Sequence, residues 1–164
     1  MIQAFQDGVD IHRSTASLMF GCSLDDVTSH QRYQAKSVNF GILYGISAFG
    51  LSKQLSCSRQ EAQEMIDTYF NQFPTVRAFI ESTIEQAKEQ GYIRTQFGRI
   101  RPLPFINTKE KSRREFEQRA AVNTFLQGTA AEIIKKAMLK VFASLEKDGL
   151  DACLILQVHD ELVF

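Results

Sequence analysis

A chain of 164 residues with 44% apolar and 23% charged residues has ordinary globular composition and is long enough for a real core. Its formal net charge of zero argues neither for nor against nucleic acid, and no apolar run approaches the roughly 18–20 residues that cross a bilayer. The three cysteines, Cys22, Cys57 and Cys153, are scattered without metal-ligand spacing, which points to a reducing compartment and buried or idle thiols.

Met1 is followed by the polar, acidic stretch from Gln3 to Asp10, so no signal peptide is expected. Asp10 can cap a helix from Ile11 to Phe20, with Gly21 as its stop. Thr28 or Ser29 can cap a second, from His30 to about Tyr44, before Gly45. A short helix is expected over Ser47 to Leu55. Ser58 and Glu61 form a capping box that opens a helix to about Gln72. Pro74 suits the first turn of the next, which ends at Gly91. Phe70, Phe73, Phe79 and Ile80 are expected in its core. A hairpin follows, with Tyr92 to Gln96 and Arg99 to Leu103 joined by a turn at Phe97-Gly98. Lys109 to Glu146 forms a long helical stretch with an expected break near Thr124. Ala152 to Val158 is a strand meeting His159-Asp160-Glu161, after which Leu162-Val163-Phe164 starts another apolar run.

The second of these helices carries chemistry. Arg32, Lys36, Phe40 and Tyr44 recur every four residues, so the first three share one face and Tyr44 lies at its edge. From Arg32 to Tyr44 the rise is roughly 18 Å, comparable to an extended nucleoside triphosphate. Two fixed cations suit phosphates, and two rings further along suit sugar and base. Taken alone, such a stripe reads first as an exposed basic turn beside a core aromatic stripe.

The acidic turn is the second candidate. Asp160 and Glu161, adjacent at a hairpin tip, are hard oxygen donors of the kind Mg²⁺ prefers. By itself His-Asp-Glu is also an ordinary polar turn. Between Arg94 and Arg119, eight basic residues face three acidic ones, so the remainder of this neutral chain is net acidic. That segment is either a phosphate-facing patch or a solvated helical face. Asn123 and Gln127, four apart, share a helical face and can serve degenerate minor-groove edges, or simply cap.

The string Arg32-x3-Lys36-x3-Phe40-x3-Tyr44-Gly45, with Asn39-Phe40-Gly41 inside it, resembles motif B of family A DNA polymerases, the bacterial DNA polymerase I type. The turn at Val158-His159-Asp160-Glu161, about 115 residues later, resembles motif C of that family. Asp10-Ile11-His12-Arg13 resembles the segment before motif B. Arg119-Ala-Ala-Val-Asn123, running on to Gln127-Gly128-Thr129-Ala130-Ala131, resembles the palm helix that follows the template. Tyr69 to Val76 resembles the turn between two fingers helices. The similar segments run from about Phe5 to Phe164.

The resemblance implies an α+β, mainly helical fold. Fingers with a small hairpin would occupy residues 1–108, with the motif B helix at about 29–44. Part of a palm would occupy 109–164, with the motif C turn at 158–161. It implies a DNA-directed DNA polymerase acting in replication or repair on primer–template DNA and deoxynucleoside triphosphates, monomeric and in the cytoplasm at the nucleoid. His12, Arg32 and Lys36 would bind the triphosphate, and Lys36 would also help protonate the leaving pyrophosphate. Phe40 would pack on the deoxyribose and Tyr44 would sit beside base and template. Arg119, Asn123, Gln127 and His159 would contact DNA, with His159 near the primer terminus. Asp160 would hold both Mg²⁺ ions, with Glu161 in a lesser role. No Asp-Tyr-Ser-type motif A, the family's other source of metal ligands, occurs in these residues, so a polypeptide of them alone is expected to be a fragment that does not extend a primer. Many members have Pro where Phe125 stands, which puts the break near Thr124 in doubt.

Two other readings remain. Single-subunit phage-type RNA polymerases have a similar Arg, Lys and Tyr-Gly pattern, but with Met expected at Phe40. A non-catalytic module that binds DNA or nucleotide would need no acidic turn, since Asp160 repels phosphates.

Overall fold

The computed structural model describes residues 2–164; Met1, where the leader reading begins, lies outside them. Seven helices and two antiparallel hairpins make up the described residues. Contacts divide the chain into one unit that runs to Gln86 and a second, Ala87–Phe164.

The first unit holds α1 (Ile2–Gln6), α2 (Ile11–Phe20), α3 (Ser29–Leu43), α4 (Ala48–Leu55), α5 (Arg59–Gln72) and most of α6 (Pro74–Gln90). Local chemistry sets the boundaries. The Asp10 carboxylate accepts from the backbone N–H groups of His12 and Arg13 at 2.9 and 3.0 Å, capping α2. Thr28 with Gln31 and Ser58 with Glu61 form reciprocal capping boxes on α3 and α5. Gly21 ends α2 at φ +63°, a left-handed conformation that glycine adopts without a Cβ penalty. The core gathers Val38 and Ile42 of α3, Ala48 and Leu51 of α4, and Ala62, Ile66 and Tyr69 of α5. A smaller cluster of Ala16, Val27 and Ala35 joins α2 to α3.

In the second unit, β1 (Tyr92–Arg94) pairs with β2 (Ile100–Pro102) in the register Tyr92↔Pro102. The hairpin packs on α7 (Lys111–Lys147) through Ile93, Leu103, Ile106, Ala120 and Ala121, with Ala87 and half-buried Phe125 alongside. β3 (Leu156–Val158) pairs with β4 (Glu161–Val163).

Several expectations are corrected. α7 is unbroken at Thr124: Phe125 keeps the backbone N–H and lacks the ring clash with which Pro would interrupt the ladder. The strand expected from Ala152 shrinks to Leu156–Val158, because pairing with β4 reaches back only to Ile155, whose N–H donates to Val163 O. The short run after Asp160 does form a paired strand. Helix α1 falls in a stretch described above only as polar. Phe70, Phe73, Phe79 and Ile80 are half-buried; Tyr69 is the aromatic at the core centre, 1% exposed, and Phe73 lies against its ring at 4.9 Å between centroids. All three cysteines are free; Cys22 and Cys57 are half-buried and Cys153 is exposed. Among the described residues no helix is long and apolar enough to cross a membrane.

Hairpin and α7 are docked through Gly128. A Cβ there would lie 2.7 Å from the Thr95 methyl. Thr95 is 3% exposed, and its hydroxyl donates to the Glu132 carboxylate and accepts from Arg99 N–H. Overpacking costs about 1–3 kcal/mol, and Ala in place of Gly recovers roughly 1 kcal/mol of helix propensity. Gly128→Ala is therefore expected to destabilise by up to about 2 kcal/mol. A melting temperature that stays level or rises would show that Thr95 can give way.

Candidate functional site

Three positions of the four-residue stripe lie along α3 as the spacing requires. Ala35, Val38 and Ile42 on the opposite side are 0%, 0% and 4% exposed, so core burial fixes the rotation of the helix and turns the stripe outward. Phe40 and Tyr44 keep 42% and 49% of their surface exposed. Tyr44 has left the helix: it is the C-cap residue, followed by Gly45 at φ +69°. Lys36 is exposed and makes no ion pair among the described residues.

Arg32 is held. Its Nε and Nη2 both donate to one Asp10 oxygen, at 2.9 and 2.6 Å. The other Asp10 oxygen caps α2. Asp10 thus ties the start of α2 to the first cation of the stripe. Arg32 and the capped N–H groups hold its carboxyl below the usual carboxylate range. This link escapes a linear sequence reading, since the two residues are 22 apart; Asp10 is visible there only as a cap.

His12, in the first turn of α2, sits beside the stripe. Its ring lies 5.5 Å from that of Phe40, tilted by 50°. Asn39, 7% exposed, reaches from the flank of α3 to His12 Nδ1 at 3.1 Å and to Thr15 Oγ1 at 3.1 Å. Burial lowers the His12 pKa, helped by Arg32 and Lys36 and opposed by Asp10. His12, Asn39 and Phe40, together with Phe5, Leu43, Tyr69 and Val76, line an apolar cavity of about 310 Å³. Arg32, Lys36, Phe40, Tyr44 and His12 therefore form one surface in the first unit.

The second unit carries the other candidates. The turn between β3 and β4 consists of His159 and Asp160, in the register Val158↔Glu161. His159 adopts φ +52°, a conformation that costs a non-glycine residue roughly 1 kcal/mol or more. Gln157 Nε2 donates to His159 O at 2.9 Å and braces the turn. Asp160 and Glu161 are exposed. Among the described residues no three His, Cys, Asp or Glu side chains converge as a metal site. The oxygen chemistry of Asp160 fits Mg²⁺, but these residues do not close a site by themselves.

On α7, Arg119, Asn123 and Gln127 follow one another at one-turn intervals; Gln127 is exposed, and the stripe they form runs beside the buried Ala120 and Ala121. Asn123, Gln127, Thr124 and Gly128 line an open concavity of about 270 Å³ together with Arg101. Arg101 Nη1 donates to Thr124 Oγ1 at 3.0 Å, which places a guanidinium over this face that motif reading passes by. The basic segment is not one free patch. Arg99, Lys111 and Arg113 pair with Glu132, Glu115 and Glu110, and Arg114 donates to the carbonyls of Thr108 and Lys109.

The family described as DNA polymerase family A matches residues 1–164. DNA polymerase I of Pseudomonas aeruginosa is 50% identical over 163 residues, which cover 99% of this chain and 18% of that protein. The thermostable DNA polymerase I of Thermus aquaticus is 49% identical over 163 residues, 99% of this chain and 19% of that one. The chain thus spans about a fifth of these relatives. Among solved structures, the POL domain of Pol1 from M. smegmatis, in complex with DNA primer–template and dNTP, is similar at a TM-score of 0.93 and 41% identity, over 98% of this chain and 28% of that one.

Proposed function

Because this chain belongs to DNA polymerase family A, we propose that its protein adds deoxynucleoside monophosphates to a primer 3′-end under the direction of a DNA template, releasing pyrophosphate. The observation that carries the reading is the outward stripe Arg32, Lys36, Phe40 and Tyr44, held on a helix whose opposite face is core.

Phosphoryl transfer is chiefly positioning and charge stabilisation. Lys36 and Arg32 take the triphosphate, and Arg32 does so while sharing its guanidinium with Asp10. His12 adds a polar contact to the same phosphates. Lys36 Nζ donates a proton toward the leaving pyrophosphate oxygen as charge develops there. Phe40 packs on the deoxyribose and Tyr44 flanks the base. In the second unit, Arg119 and Arg101 meet backbone phosphate, while Asn123 and Gln127 meet minor-groove edges, whose degenerate pattern suits an enzyme that must accept any sequence. His159 lies near the primer end. Asp160 would hold Mg²⁺ with carboxylates from outside these residues, Glu161 assisting. When bound there, Mg²⁺ would supply Lewis-acid stabilisation of charge on the attacking and leaving oxygens. Residues 1–108 are assigned to the fingers and 109–164 to part of the palm.

Phe40 favours a DNA polymerase over a phage-type RNA polymerase, where Met is expected. A binding module without chemistry is disfavoured by the exposed Asp160. Lys36→Ala in the full-length polymerase is expected to weaken triphosphate use by roughly tenfold to a hundredfold, the loss of one charge-assisted phosphate contact. Primer–template affinity should change far less. Wild-type triphosphate kinetics in that variant would sink the assignment of this face.

A further inference from the structure

Asn39 is a buried polar side chain next to the stripe, and its hydrogen bonds define the chemical form of His12. Its amide nitrogen has two hydrogens and two neighbours at 3.1 Å, Thr15 Oγ1 and His12 Nδ1. The Thr15 hydroxyl has two acceptors in reach, the Ile11 carbonyl at 2.8 Å and Asn39 Oδ1 at 3.3 Å; donation to the nearer carbonyl leaves its oxygen lone pairs to accept from the Asn39 N–H. An amide N–H donates and does not accept, so with the Asn39 nitrogen facing His12 the 3.1 Å contact calls for an unprotonated Nδ1 and a ring proton on Nε2. From this geometry we infer that Asn39 is a positioning residue that holds His12 as the neutral Nε2–H tautomer, so that His12 meets the triphosphate as a hydrogen-bond donor and not as a cation.

The surroundings agree. Asp10, Arg32 and Lys36 are the charged groups acting on the ring; burial and the two cations favour its neutral form, and Asp10 opposes them. From α5 the neighbour is Tyr69, whose own pKa burial pushes up to about 12, so it stays protonated. Among the described residues, α1 and α6 contribute only Phe5 and Val76 to the shared cavity. Lys36 and Arg32 then carry the positive charge of the site, and nucleotide affinity is insulated from the titration of histidine.

The inference rests on the nucleotide-binding reading above, and the test separates the two. Asn39→Asp replaces the donor with an acceptor, so Nδ1 must carry a proton, and Nε2 can donate only while the ring is protonated. The deoxynucleoside triphosphate dissociation constant, from the concentration dependence of single-turnover incorporation by the full-length enzyme, should be flat within about twofold from about pH 6.5 to 8.5 in the wild type. In Asn39→Asp it should weaken by about tenfold or more as pH rises across that window, the loss of one hydrogen bond to a charged acceptor. In the double variant Asn39→Asp, His12→Gln the dependence should vanish, because glutamine keeps an N–H donor and does not titrate. A flat profile in Asn39→Asp overturns the inference, as does a dependence that survives in the double variant, which would belong to the introduced carboxylate itself. If Asn39→Asp does not fold, ¹⁵N-histidine spectra of the wild type decide, with His12 identified by its loss in His12→Gln: an unprotonated Nδ1 supports the inference and a protonated Nδ1 overturns it. If Lys36→Ala leaves nucleotide affinity unchanged, the parent reading fails; if only the Asn39→Asp profile is flat, the inference alone fails.

Discussion

Asp160→Asn in the full-length polymerase is expected to lower incorporation by orders of magnitude while leaving the fold and primer–template affinity nearly intact. Asp160 is exposed in a two-residue turn and makes no hydrogen bond or ion pair among the described residues. Its charge therefore contributes little to stability, and asparagine has the same shape. The substitution removes the anionic oxygen on which a divalent cation depends, and with it the stabilisation of charge on which phosphoryl transfer rests. Paired measurements of nucleotide incorporation and of primer–template binding check this. Near-normal incorporation would take Asp160 out of the site.

Phe40→Tyr is expected to relax discrimination against dideoxynucleotides by on the order of 10²–10⁴-fold, with little change for normal substrates. Phe40 is exposed, beside His12 and one turn beyond Lys36, where a sugar follows phosphates. A dideoxynucleotide lacks the 3′-hydroxyl and so loses an internal polar contact to its own phosphates. A phenyl edge cannot replace that contact, whereas a phenol hydroxyl can. A site built around a substrate hydroxyl rejects the analogue without it, because polar groups are left unpaired. The readout is the ratio of incorporation efficiencies for dideoxy and deoxy substrates in both proteins. Equal ratios would mean that Phe40 does not face the sugar.

The helices of the first unit were legible because their caps are local. Asp10, Thr28 and Ser58 each satisfy N–H groups within three residues, and such chemistry is written in order along the chain. The outward stripe was legible because α-helical spacing and core burial agree on it. Contacts between distant residues were not. Asp10 looks like a cap until Arg32 is brought to it, Asn39 looks like part of a motif until it reaches His12, and Arg101 looks like one more cation in a basic run. The strand before Asp160 was overextended because apolar content signals strand tendency, whereas strand length depends on the available partner.

The α3 boundary has an entropic consequence. Arg32, Lys36 and Phe40 stand on hydrogen-bonded helix, whereas Tyr44 stands on the cap, where the next residue has already turned to φ +69°. Fixing a backbone residue costs roughly 1–2 kcal/mol. For the first three that cost is met when the protein folds, so their encounter with a ligand proceeds on a preorganised surface. Tyr44 is held there as well: its N–H donates to Phe40 O at 3.0 Å, and the N–H groups of Gly45 and Ile46 donate back to Ile42 O and Gly41 O at 3.0 and 2.8 Å. The backbone of the whole stripe is thus set before any ligand arrives, and the adjustment left at the end assigned to the base is rotation of the half-exposed Tyr44 side chain, where the proposed partner's shape changes from one templated position to the next.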